Sequence, residues 1–582
     1  MTDADDDTPP AAGEASAADA HLLLRAFCEE LVRCGVSDAC TSPGSRSTPI
    51  VLALARTPGL RAWSHVDERV AGFFALGLAK RSSRPVAIAC TSGTAAAELA
   101  PAVIEAAQSR VPLLVLTADR PPELRDVGAG QTIDQLKLYG EAAKWFVEVG
   151  THAASAERMR WIRALACRAV WTALDGRPGP VHLNWPLREP LVHDGPLPPD
   201  PAPGRPDGRP WVAHSVLPAA DTLPRMPVAP TPRAVVVAGR EERDPALGDA
   251  LAGFAAASRY PLLADPLSGA RRGPAAVAHY DALLRDERLA AELRPELVLR
   301  VGDLPTSKPL RAWLASLDAA EQVALDAEGA WHDPAGVVGA RIVASPLAAL
   351  AALAPAHRDA GDPAWLERWR AADRAAAGAI AATLGEELSE PRVAAELVAV
   401  LPSDATLFVA ASMPIRDLET FAATREDAPL ILSNRGANGI DGTVAAALGA
   451  AAAGEGPVVL HIGDVALAYD LGALLSARRL ALDLTIVLVN NGGGGIFDFL
   501  PVAREGADFE QHVATPTGLD FARAAAAYGA RHALAADVAT LRDELARSLA
   551  DGGVTIAEVR TERAANVVLH RRVWDAVSAA LR

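Results

Sequence analysis

The chain has 582 residues and a net charge of −16, and half of its residues are hydrophobic, which indicates a folded protein of about three or four domains. The negative charge disfavours nonspecific nucleic-acid binding, and no apolar run reaches the roughly 20 residues that a membrane helix needs. The acidic start lacks signal-peptide features, so we predict a disordered tail over residues 1–18. The five cysteines form no CxxC pair, which predicts reduced thiols in a cytoplasmic protein.

Strand and helix patterns alternate over residues 19–195, which predicts a doubly wound α/β domain with a parallel sheet. Asp67 is predicted to cap a helix that begins with Glu68, a position where a carboxylate is favoured for helix stability alone. Arg46 and Arg120 lie in loops that follow predicted strands. Taken alone, each arginine fits a surface salt bridge as well as a ligand contact.

The middle of the chain begins with a proline-rich linker over residues 196–232, which predicts an extended, semi-rigid connection. Residues 233–360 read as a central α/β domain that lacks both the GxGxxG and the GxxxxGK[ST] motifs, so we predict no cofactor there. Lys308 is its one candidate for reaching an active site, and a solvated lysine is an equal alternative. The sequence of residues 361–390 predicts a helical connection between the central and third domains.

The third α/β domain, over residues 391–582, contains a stretch that reads as strand, crossover helix, strand and glycine-rich loop. Asp464 follows the first of these strands, and Asn490 and Asn491 follow the second. Because the carboxyl ends of parallel strands share one edge of a sheet, these side chains are expected to converge where open α/β sheets bind ligands. Carboxylate and amide oxygens suit Mg²⁺, which also takes phosphate oxygens and water. The alternative to a magnesium site is that Asp464 only caps a helix and that Asn490 and Asn491 only form a turn.

Two segments upstream of this stretch point to anion binding. Ser412 and Arg416 fit a strand-to-helix turn, where helix amides attract anions. Gly436, Gly439 and Gly442 precede an alanine-rich helix and allow close backbone approach to a phosphate. Three glycines are weak evidence alone, and they gain weight from the neighbouring Asp–Asn pattern.

The spacing of the third-domain motif resembles that of the thiamine diphosphate (ThDP)-dependent enzymes. A Gly463–Asp464 pair is followed by Asn490–Asn491, with 24 residues between Val465 and Asn490. Val465 stands where that superfamily usually has a third glycine. The resemblance implies three α/β domains of the ThDP enzyme type, which are a pyrimidine-binding domain, a central domain and a diphosphate-binding domain.

A narrower resemblance rests on six segments of the chain. TSPGSRSTP, DERVAGFFALGLAK, TSGTAAAELAPAVIEA, LTADRPPELRDVGAGQTIDQ, SNRGANGIDG and NNGGGGIFDFLP are similar to the 2-succinyl-5-enolpyruvyl-6-hydroxy-3-cyclohexene-1-carboxylate (SEPHCHC) synthases. This family resemblance implies decarboxylation of 2-oxoglutarate, addition of the succinyl semialdehyde unit to isochorismate, and a step in menaquinone biosynthesis. It also implies a homodimer or tetramer with active sites at the subunit interface.

The resemblance assigns a role to each candidate residue. Glu68 is the catalytic acid beside the cofactor's aminopyrimidine, and Ile440 supports the bent cofactor. The cofactor-binding residues it implies are Glu68, Ile440, Gly463, Asp464, Asn491 and Gly493. The ligands it implies for Mg²⁺, with Mn²⁺ as an alternative metal, are Asp464, Asn491 and the Gly493 carbonyl. The substrate-binding residues it implies are Ser45, Arg46, Arg120, Gln131, Lys308, Ser412, Arg416, Arg435, Ile496 and Phe497.

Two positions depart from the SEPHCHC synthase pattern. Pro309 stands where the family often has an arginine after Lys308, and Gly130 stands where it often has an asparagine. Arginine-rich sites suit dicarboxylates, because the guanidinium binds both carboxylate oxygens. The alternatives are another ThDP-dependent 2-oxo acid decarboxylase or carboligase, for which we expect fewer arginines, and a non-catalytic binding protein with the ThDP fold.

Overall fold

The computed structural model describes residues 16–215, 228–242 and 245–582 of the chain. The predicted tail lies outside the described residues except for its last three, where Ser16 caps the first helix through a capping box with Asp19. Part of the predicted linker, residues 216–227, also lies outside them. The chain divides into two compact units, Met1–Ser215 with Arg435–Asn438, and Val216–Asn434 with Gly439–Arg582.

The first unit contains a six-stranded sheet in which every pairing is parallel. Its strands are β1 (Asp38–Thr41), β2 (Arg61–Ser64), β3 (Val86–Cys90), β4 (Leu113–Asp119), β5 (Trp145–Glu148) and β6 (Val181–Pro186). Its helices are α1 (Ala17–Arg33), α2 (Thr48–Arg56), α3 (Glu68–Ser82), α4 (Thr94–Glu98), α5 (Ala100–Ser109) and α6 (Ala156–Leu174). The central strands β3 and β4 are fully buried, as expected for a parallel sheet covered on both faces.

The second unit contains two more six-stranded parallel sheets, and the first of them lies in the middle of the chain. Its strands are β7 (Ala234–Ala238), β8 (Leu262–Ala264), β9 (Ala276–Val277), β10 (Leu297–Val301), β11 (Glu321–Leu325) and β12 (Ala340–Ile342). The helices of this region are α7 (Pro245–Ser258), α8 (Tyr280–Leu283), α9 (Glu287–Glu292), α10 (Lys308–Ala315), α11 (Pro346–His357) and α12 (Pro363–Leu384).

The third sheet is also parallel throughout. Its strands are β13 (Thr406–Val409), β14 (Leu430–Leu432), β15 (Val458–Gly463), β16 (Leu484–Asn490), β17 (Arg531–Leu534) and β18 (Val554–Arg560). Its helices are α13 (Glu390–Val400), α14 (Met413–Phe421), α15 (Thr443–Ala452), α16 (Asp464–Tyr469), α17 (Leu474–Leu480), α18 (Ala507–Phe509), α19 (Phe521–Tyr528), α20 (Val538–Asp551) and α21 (Arg563–Ala580). The predicted crossover helix is therefore two helices, α16 and α17, joined by a 3₁₀ turn.

The first and third sheets share one topology. Their orders are β2-β1-β3-β4-β6-β5 and β14-β13-β15-β16-β18-β17, so the strand order reverses between β1 and β3 and between β13 and β15. The second sheet, β12-β11-β10-β7-β8-β9, has the order typical of dinucleotide-binding folds and reverses between β7 and β10. The three sheets confirm the predicted doubly wound α/β class. Ligands of such sheets bind outside the strand ends at these reversal points.

Candidate functional site

The third sheet has a carboxylate beside its reversal point. Asp464 is the first residue of α16, directly after β15, and its side chain is 2% exposed. Burial raises the pKa of this carboxyl group above its ordinary value, although backbone amides of Val465 and Gly493 act in the opposite direction. The Oδ2 atom of Asp464 is buried and has no hydrogen-bond partner among the described residues.

Asn491 supplies a second oxygen of the same kind. It follows Asn490, the last residue of β16, the strand that pairs with β15. Its Oδ1 atom is also buried without a hydrogen-bond partner in the described part of the chain. Leaving a buried polar atom unpaired costs about 1–3 kcal/mol. Two such oxygens at one sheet edge therefore indicate that the fold leaves them open for a ligand.

The loop after Asn491 fits only glycine at Gly493. This residue has φ +142°, and a Cβ atom there would lie 2.8 Å from the carbonyl oxygen of Ala514. The Gly493 carbonyl accepts a hydrogen bond from the Gly495 amide at 2.9 Å. A carbonyl oxygen has two lone pairs, so one of them remains for a further partner.

These donors fit Mg²⁺. One carboxylate oxygen, one amide oxygen and one backbone carbonyl are hard ligands, and Mg²⁺ binds through one or two protein carboxylates while phosphates and water supply the rest. Among the described residues no group of three or more histidine, cysteine, aspartate or glutamate side chains is arranged to hold a metal ion. The donor set therefore matches a metal that is shared with a phosphorylated ligand.

Glu390 fixes the orientation of the Asn491 amide through a hydrogen bond to its NH₂ group. The Nδ2 atom of Asn491 donates to Oε1 of Glu390 at 3.0 Å, and the Thr561 hydroxyl donates to the same oxygen at 3.0 Å. Glu390 is the first residue of α13 and is 3% exposed. Burial raises the pKa of Glu390 to about 7, and the nearby charge of Asp417 adds to this shift. The sequence reading did not identify Glu390.

Ser412 and Arg416 lie at the other side of the reversal point, after β13. Ser412 precedes α14 with φ 75° and ψ −134°, a conformation that few residues other than glycine adopt and that costs about 1–3 kcal/mol. Arg416 donates to the Ser412 carbonyl at 2.5 Å. Burial and the neighbouring charge of Arg311 lower the pKa of Arg416. A bound anion beside Arg416 would offset this repulsion.

Four other predicted residues of the second unit have less defined surroundings. Ile440 is half-buried in the loop before α15, and Ile496 is half-buried in the 3₁₀ turn Gly495–Phe499. Phe497, in the same turn, is 37% exposed. Lys308 is exposed as the first residue of α10, and the described contacts do not join it to the other predicted site residues.

Glu68 occupies the helix start that the sequence predicts. It is the first residue of α3, and Asp67 caps that helix by accepting a hydrogen bond from the Val70 amide at 3.2 Å. Burial raises the pKa of Glu68, and the charges of Asp67 and Glu98 add to the effect. A carboxyl group whose pKa is raised in this way holds its proton to a higher pH and can share it with a basic ring nitrogen.

Ser45 and Arg46 lie in the loop after β1, at the reversal point of the first sheet. Ser45 is exposed, whereas the Arg46 side chain is 7% exposed. Arg46 donates to the Leu187 carbonyl at 2.9 Å and to Glu189 at 2.8 Å. Its Nε atom is buried without a hydrogen-bond partner among the described residues, so one donor of this guanidinium stays available.

Arg120 and Gln131 meet at Ser92, in the loop after β3. Arg120 donates to the Ser92 hydroxyl. Gln131 donates to the Ser92 carbonyl at 2.9 Å, and the Ser92 hydroxyl donates back to the Gln131 carbonyl at 2.9 Å. Burial and the nearby charge of Arg46 lower the pKa of Arg120. The first unit therefore gathers two guanidinium groups and a carboxamide at one sheet edge.

Arg435 begins the short segment Arg435–Asn438, which belongs to the first unit. Glu105, 3% exposed on α5, holds this segment by accepting hydrogen bonds from the Gly436 amide at 2.8 Å and the Ala437 amide at 2.6 Å. A Cβ atom at Gly436 would lie 2.7 Å from the Ser109 amide nitrogen, so glycine is needed there. The sequence reading did not identify Glu105, because a buried helical glutamate carries no motif.

Three family models match successive parts of the chain. The N-terminal TPP binding domain of thiamine pyrophosphate enzymes matches residues 23–138, and the C-terminal TPP binding domain matches residues 419–559. A model described as the middle domain of thiamine pyrophosphate matches residues 206–409. Thiamine pyrophosphate is ThDP, so these matches agree with the predicted ThDP enzyme fold and cofactor.

Full-length relatives narrow the family. The chain is 44% identical over 575 residues to a Chloroflexus aurantiacus protein, with 96% of each chain covered. It is 45% identical over 583 residues to a Geobacillus kaustophilus protein and 44% identical over 582 residues to a Myxococcus xanthus protein, covering 96% of this chain and 98% of each relative. All three are named 2-succinyl-5-enolpyruvyl-6-hydroxy-3-cyclohexene-1-carboxylate synthase. The chain belongs to the SEPHCHC synthase family.

Membership of the SEPHCHC synthase family confirms the resemblance inferred from the six segments. It makes the chain a ThDP-dependent enzyme that acts on small molecules. Within the described residues, no helix combines the length and the apolar character needed to cross a membrane.

Proposed function

We propose that this SEPHCHC synthase family member decarboxylates 2-oxoglutarate and joins the remaining four-carbon unit to isochorismate, with ThDP and Mg²⁺ as cofactors. The products are CO₂ and 2-succinyl-5-enolpyruvyl-6-hydroxy-3-cyclohexene-1-carboxylate, an intermediate of menaquinone biosynthesis. The observation that carries the cofactor assignment is the pair of buried oxygens on Asp464 and Asn491, neither of which has a hydrogen-bond partner in the described part of the chain.

The diphosphate of the cofactor would be held through the metal. Asp464, Asn491 and the Gly493 carbonyl would bind Mg²⁺, with Mn²⁺ as a substitute, and Gly463 would allow close approach of the backbone. A diphosphate is too anionic to bury in an acidic protein without a cation. Ile440 would contact the body of the cofactor.

Glu68 would exchange a proton with the aminopyrimidine ring of the cofactor. Its raised pKa keeps the carboxyl group protonated at a higher pH than an exposed glutamate, which suits a shared proton. When bound, ThDP supplies the electron sink that allows a 2-oxo acid to lose CO₂ and its remaining carbon to attack a second substrate. The protein's own contributions are proton transfer, orientation and exclusion of water.

The cationic residues would bind the substrate carboxylates. Both proposed substrates carry two carboxylates, and a guanidinium group binds a carboxylate with two parallel hydrogen bonds. Arg46 lowers the pKa of Arg120, and Arg311 lowers the pKa of Arg416, because like charges repel, and a bound anion would relieve this repulsion. The proposed substrate-binding residues are Ser45, Arg46, Arg120, Gln131, Lys308, Ser412, Arg416, Arg435, Ile496 and Phe497.

The assembly would be a homodimer or tetramer, in which one subunit supplies Glu68 and the other supplies the metal ligands. We also propose a cytoplasmic location, which the five free thiols support because such thiols persist in reducing compartments. Sedimentation of the protein with and without ThDP would test the assembly, and a monomer that is fully active would contradict it.

An activity assay tests the proposed function. The protein is incubated with ThDP, Mg²⁺, 2-oxoglutarate and isochorismate, and the loss of isochorismate absorbance is followed together with CO₂ release. We expect isochorismate consumption that depends on both cofactors and on 2-oxoglutarate. Turnover of pyruvate without consumption of isochorismate would instead indicate another ThDP-dependent decarboxylase or carboligase. Absence of any turnover with bound ThDP would indicate a binding protein.

A further inference from the structure

We propose that Glu390 is a positioning residue that fixes the orientation of the Asn491 amide, so that its oxygen faces the metal and its nitrogen does not. This inference rests on the proposed metal site. It adds a residue outside the predicted ligands, and it explains why, within the described ranges, the amide oxygen and not the amide nitrogen has no partner.

An asparagine side chain can present either its oxygen or its NH₂ group, and only its hydrogen-bond partners decide between the two orientations. Here the NH₂ group of Asn491 donates to Oε1 of Glu390 at 3.0 Å, and the opposite atom, Oδ1, is buried with no partner among the residues that the structure describes. The reversed amide would place two acceptor oxygens together at Glu390 and point NH₂ donors toward the metal position. Mg²⁺ binds oxygen ligands, so the reversed orientation would remove one of them.

The Glu390 side chain is itself held in place. Glu390 is 3% exposed, begins α13 after the Ser389 cap, and accepts a second hydrogen bond at the same oxygen from the Thr561 hydroxyl. The amide is also packed from its other side, because a Cβ atom at Gly495 would lie 2.7 Å from Nδ2 of Asn491. The glycine at this place and the carboxylate behind it therefore enclose the NH₂ group.

Residues that orient a metal ligand in this way affect metal affinity although they do not touch the metal, typically by about 10–100-fold. The experiment therefore measures the Mg²⁺ dissociation constant of the full-length protein in the presence of saturating ThDP, by calorimetry and by the Mg²⁺ dependence of kcat. Glu390→Leu removes the acceptor while keeping a side chain of similar size. We expect it to weaken Mg²⁺ binding by about 10–100-fold and to regain most of its kcat at high Mg²⁺ concentration.

Two matched variants separate positioning from packing and charge. Glu390→Gln keeps an acceptor oxygen for the Asn491 NH₂ group without the charge, and Thr561→Val removes the other hydrogen bond to the same oxygen. We expect both to bind Mg²⁺ with wild-type affinity. Thermal unfolding of the metal-free proteins verifies that each variant is folded, and Glu390→Gln keeps the inference testable if Glu390→Leu does not fold.

Three results would overturn the inference. The first is wild-type Mg²⁺ affinity in folded Glu390→Leu, and the second is a kcat of this variant that high Mg²⁺ does not restore. The third is a loss of Mg²⁺ affinity in Glu390→Gln that is as large as the loss in Glu390→Leu. Asp464→Ala measured in parallel distinguishes this failure from failure of the metal site. If Asp464→Ala loses Mg²⁺ and Glu390→Leu does not, only the positioning role is wrong, whereas wild-type affinity in Asp464→Ala refutes the metal site itself.

Discussion

In the second sheet, the aspartates that follow the strands are bonded to the chain itself, whereas in the third sheet the corresponding side chains keep an open oxygen. Asp265, after β8, accepts the Leu267 amide at 2.8 Å with one oxygen and the Thr306 amide at 2.7 Å with the other. By contrast, Asp464 and Asn491, after β15 and β16, each keep a buried oxygen without a partner among the described residues.

The reversal points of the two sheets differ in the same way. Between β7 and β10, Arg240 forms an ion pair with Asp303, and a Cβ atom on Gly239 would lie 1.5 Å from the Asp303 carbonyl oxygen. The chain thus fills this crevice with its own groups. Between β13 and β15, the strained backbone of Ser412 and the open carboxylate of Asp464 border the equivalent position.

A doubly wound sheet therefore supplies the place for a site but not the site itself. A ligand site forms where polar atoms at the strand ends lack hydrogen-bond partners within the chain. Polar atoms that have such partners stabilise the fold. Buried polar atoms without partners destabilise it, and a bound ligand can offset that loss. Four substitutions test this distinction, from the largest expected effect to the smallest.

Glu68→Gln tests whether the Glu68 carboxylate of the first unit transfers a proton in the reaction. Loss of a general acid or base typically slows turnover by about 10²–10⁴-fold, so we expect kcat to fall by that amount. ThDP affinity, measured by calorimetry, should stay at the wild-type value because Glu68 does not hold the diphosphate. Near-normal kcat would show that its proton is not used.

Asp464→Ala removes the open carboxylate of the third sheet. A direct ligand should matter more than an orienting neighbour, so we expect Mg²⁺ and ThDP affinity to fall together by at least about 100-fold. Losing the unpaired buried oxygen stabilises the metal-free protein, and losing the acceptor for the Val465 and Gly493 amides destabilises it, so we expect its thermal unfolding temperature to change little. Calorimetry with unchanged ThDP affinity would contradict the assignment.

Asp265→Ala is the matched change in the second sheet. It leaves two buried backbone amides without acceptors, so we expect a loss of about 2–3 kcal/mol in the free energy of unfolding, measured by urea denaturation. Mg²⁺ and ThDP affinity of the folded variant should equal that of the wild type. A variant that loses cofactor affinity but not stability would reverse the comparison between the two sheets.

His182→Gln tests a buried imidazole of the first sheet through pH. Burial lowers the pKa of His182 to about 3, and its Nε2 atom lies 2.7 Å from the Thr117 hydroxyl. Because the folded pKa lies below the unfolded value of about 6.5, this imidazole stabilises the fold above pH 6.5 and loses that contribution as pH falls toward 3.

At pH 5 the loss from this histidine amounts to about 2 kcal/mol. The stability difference between wild type and His182→Gln, from urea denaturation at pH 7 and pH 5, should therefore shift by that amount in favour of the variant at pH 5. A difference that does not change with pH would show that His182 is not held neutral in the folded state.

Much of the fold could be predicted because its central strands are long apolar runs. The sequence predicts no strand at β5, β6, β9, β14 or β17, and all of these except β6 lie at an edge of their sheet. Edge strands are short and partly exposed, as the four half-buried residues of β5 and the two residues of β9 show. They therefore lack both the continuous apolar run and the length that identify a buried strand.

The candidate site could be predicted where its residues sit in motifs and not where they support those motifs. Asp464 and Asn491 follow recognisable strands, and the spacing between them matches the motif of ThDP-dependent enzymes. Glu390 and Glu105 act through hydrogen bonds to groups that lie 101 and 331 positions away along the chain. Such long-range contacts leave no local pattern, and each glutamate reads as an ordinary helix residue until the fold brings it to its partner.

The open edge of the third sheet is tested most directly by titrating ThDP into the wild-type protein with Mg²⁺ and then with a metal chelator. If Asp464 and Asn491 hold a metal that carries the diphosphate, calorimetry will show ThDP binding with Mg²⁺ and its loss, or a weakening of at least about 100-fold, with the chelator. Equal ThDP affinity in both titrations would contradict the account, because the diphosphate would then be held without the metal.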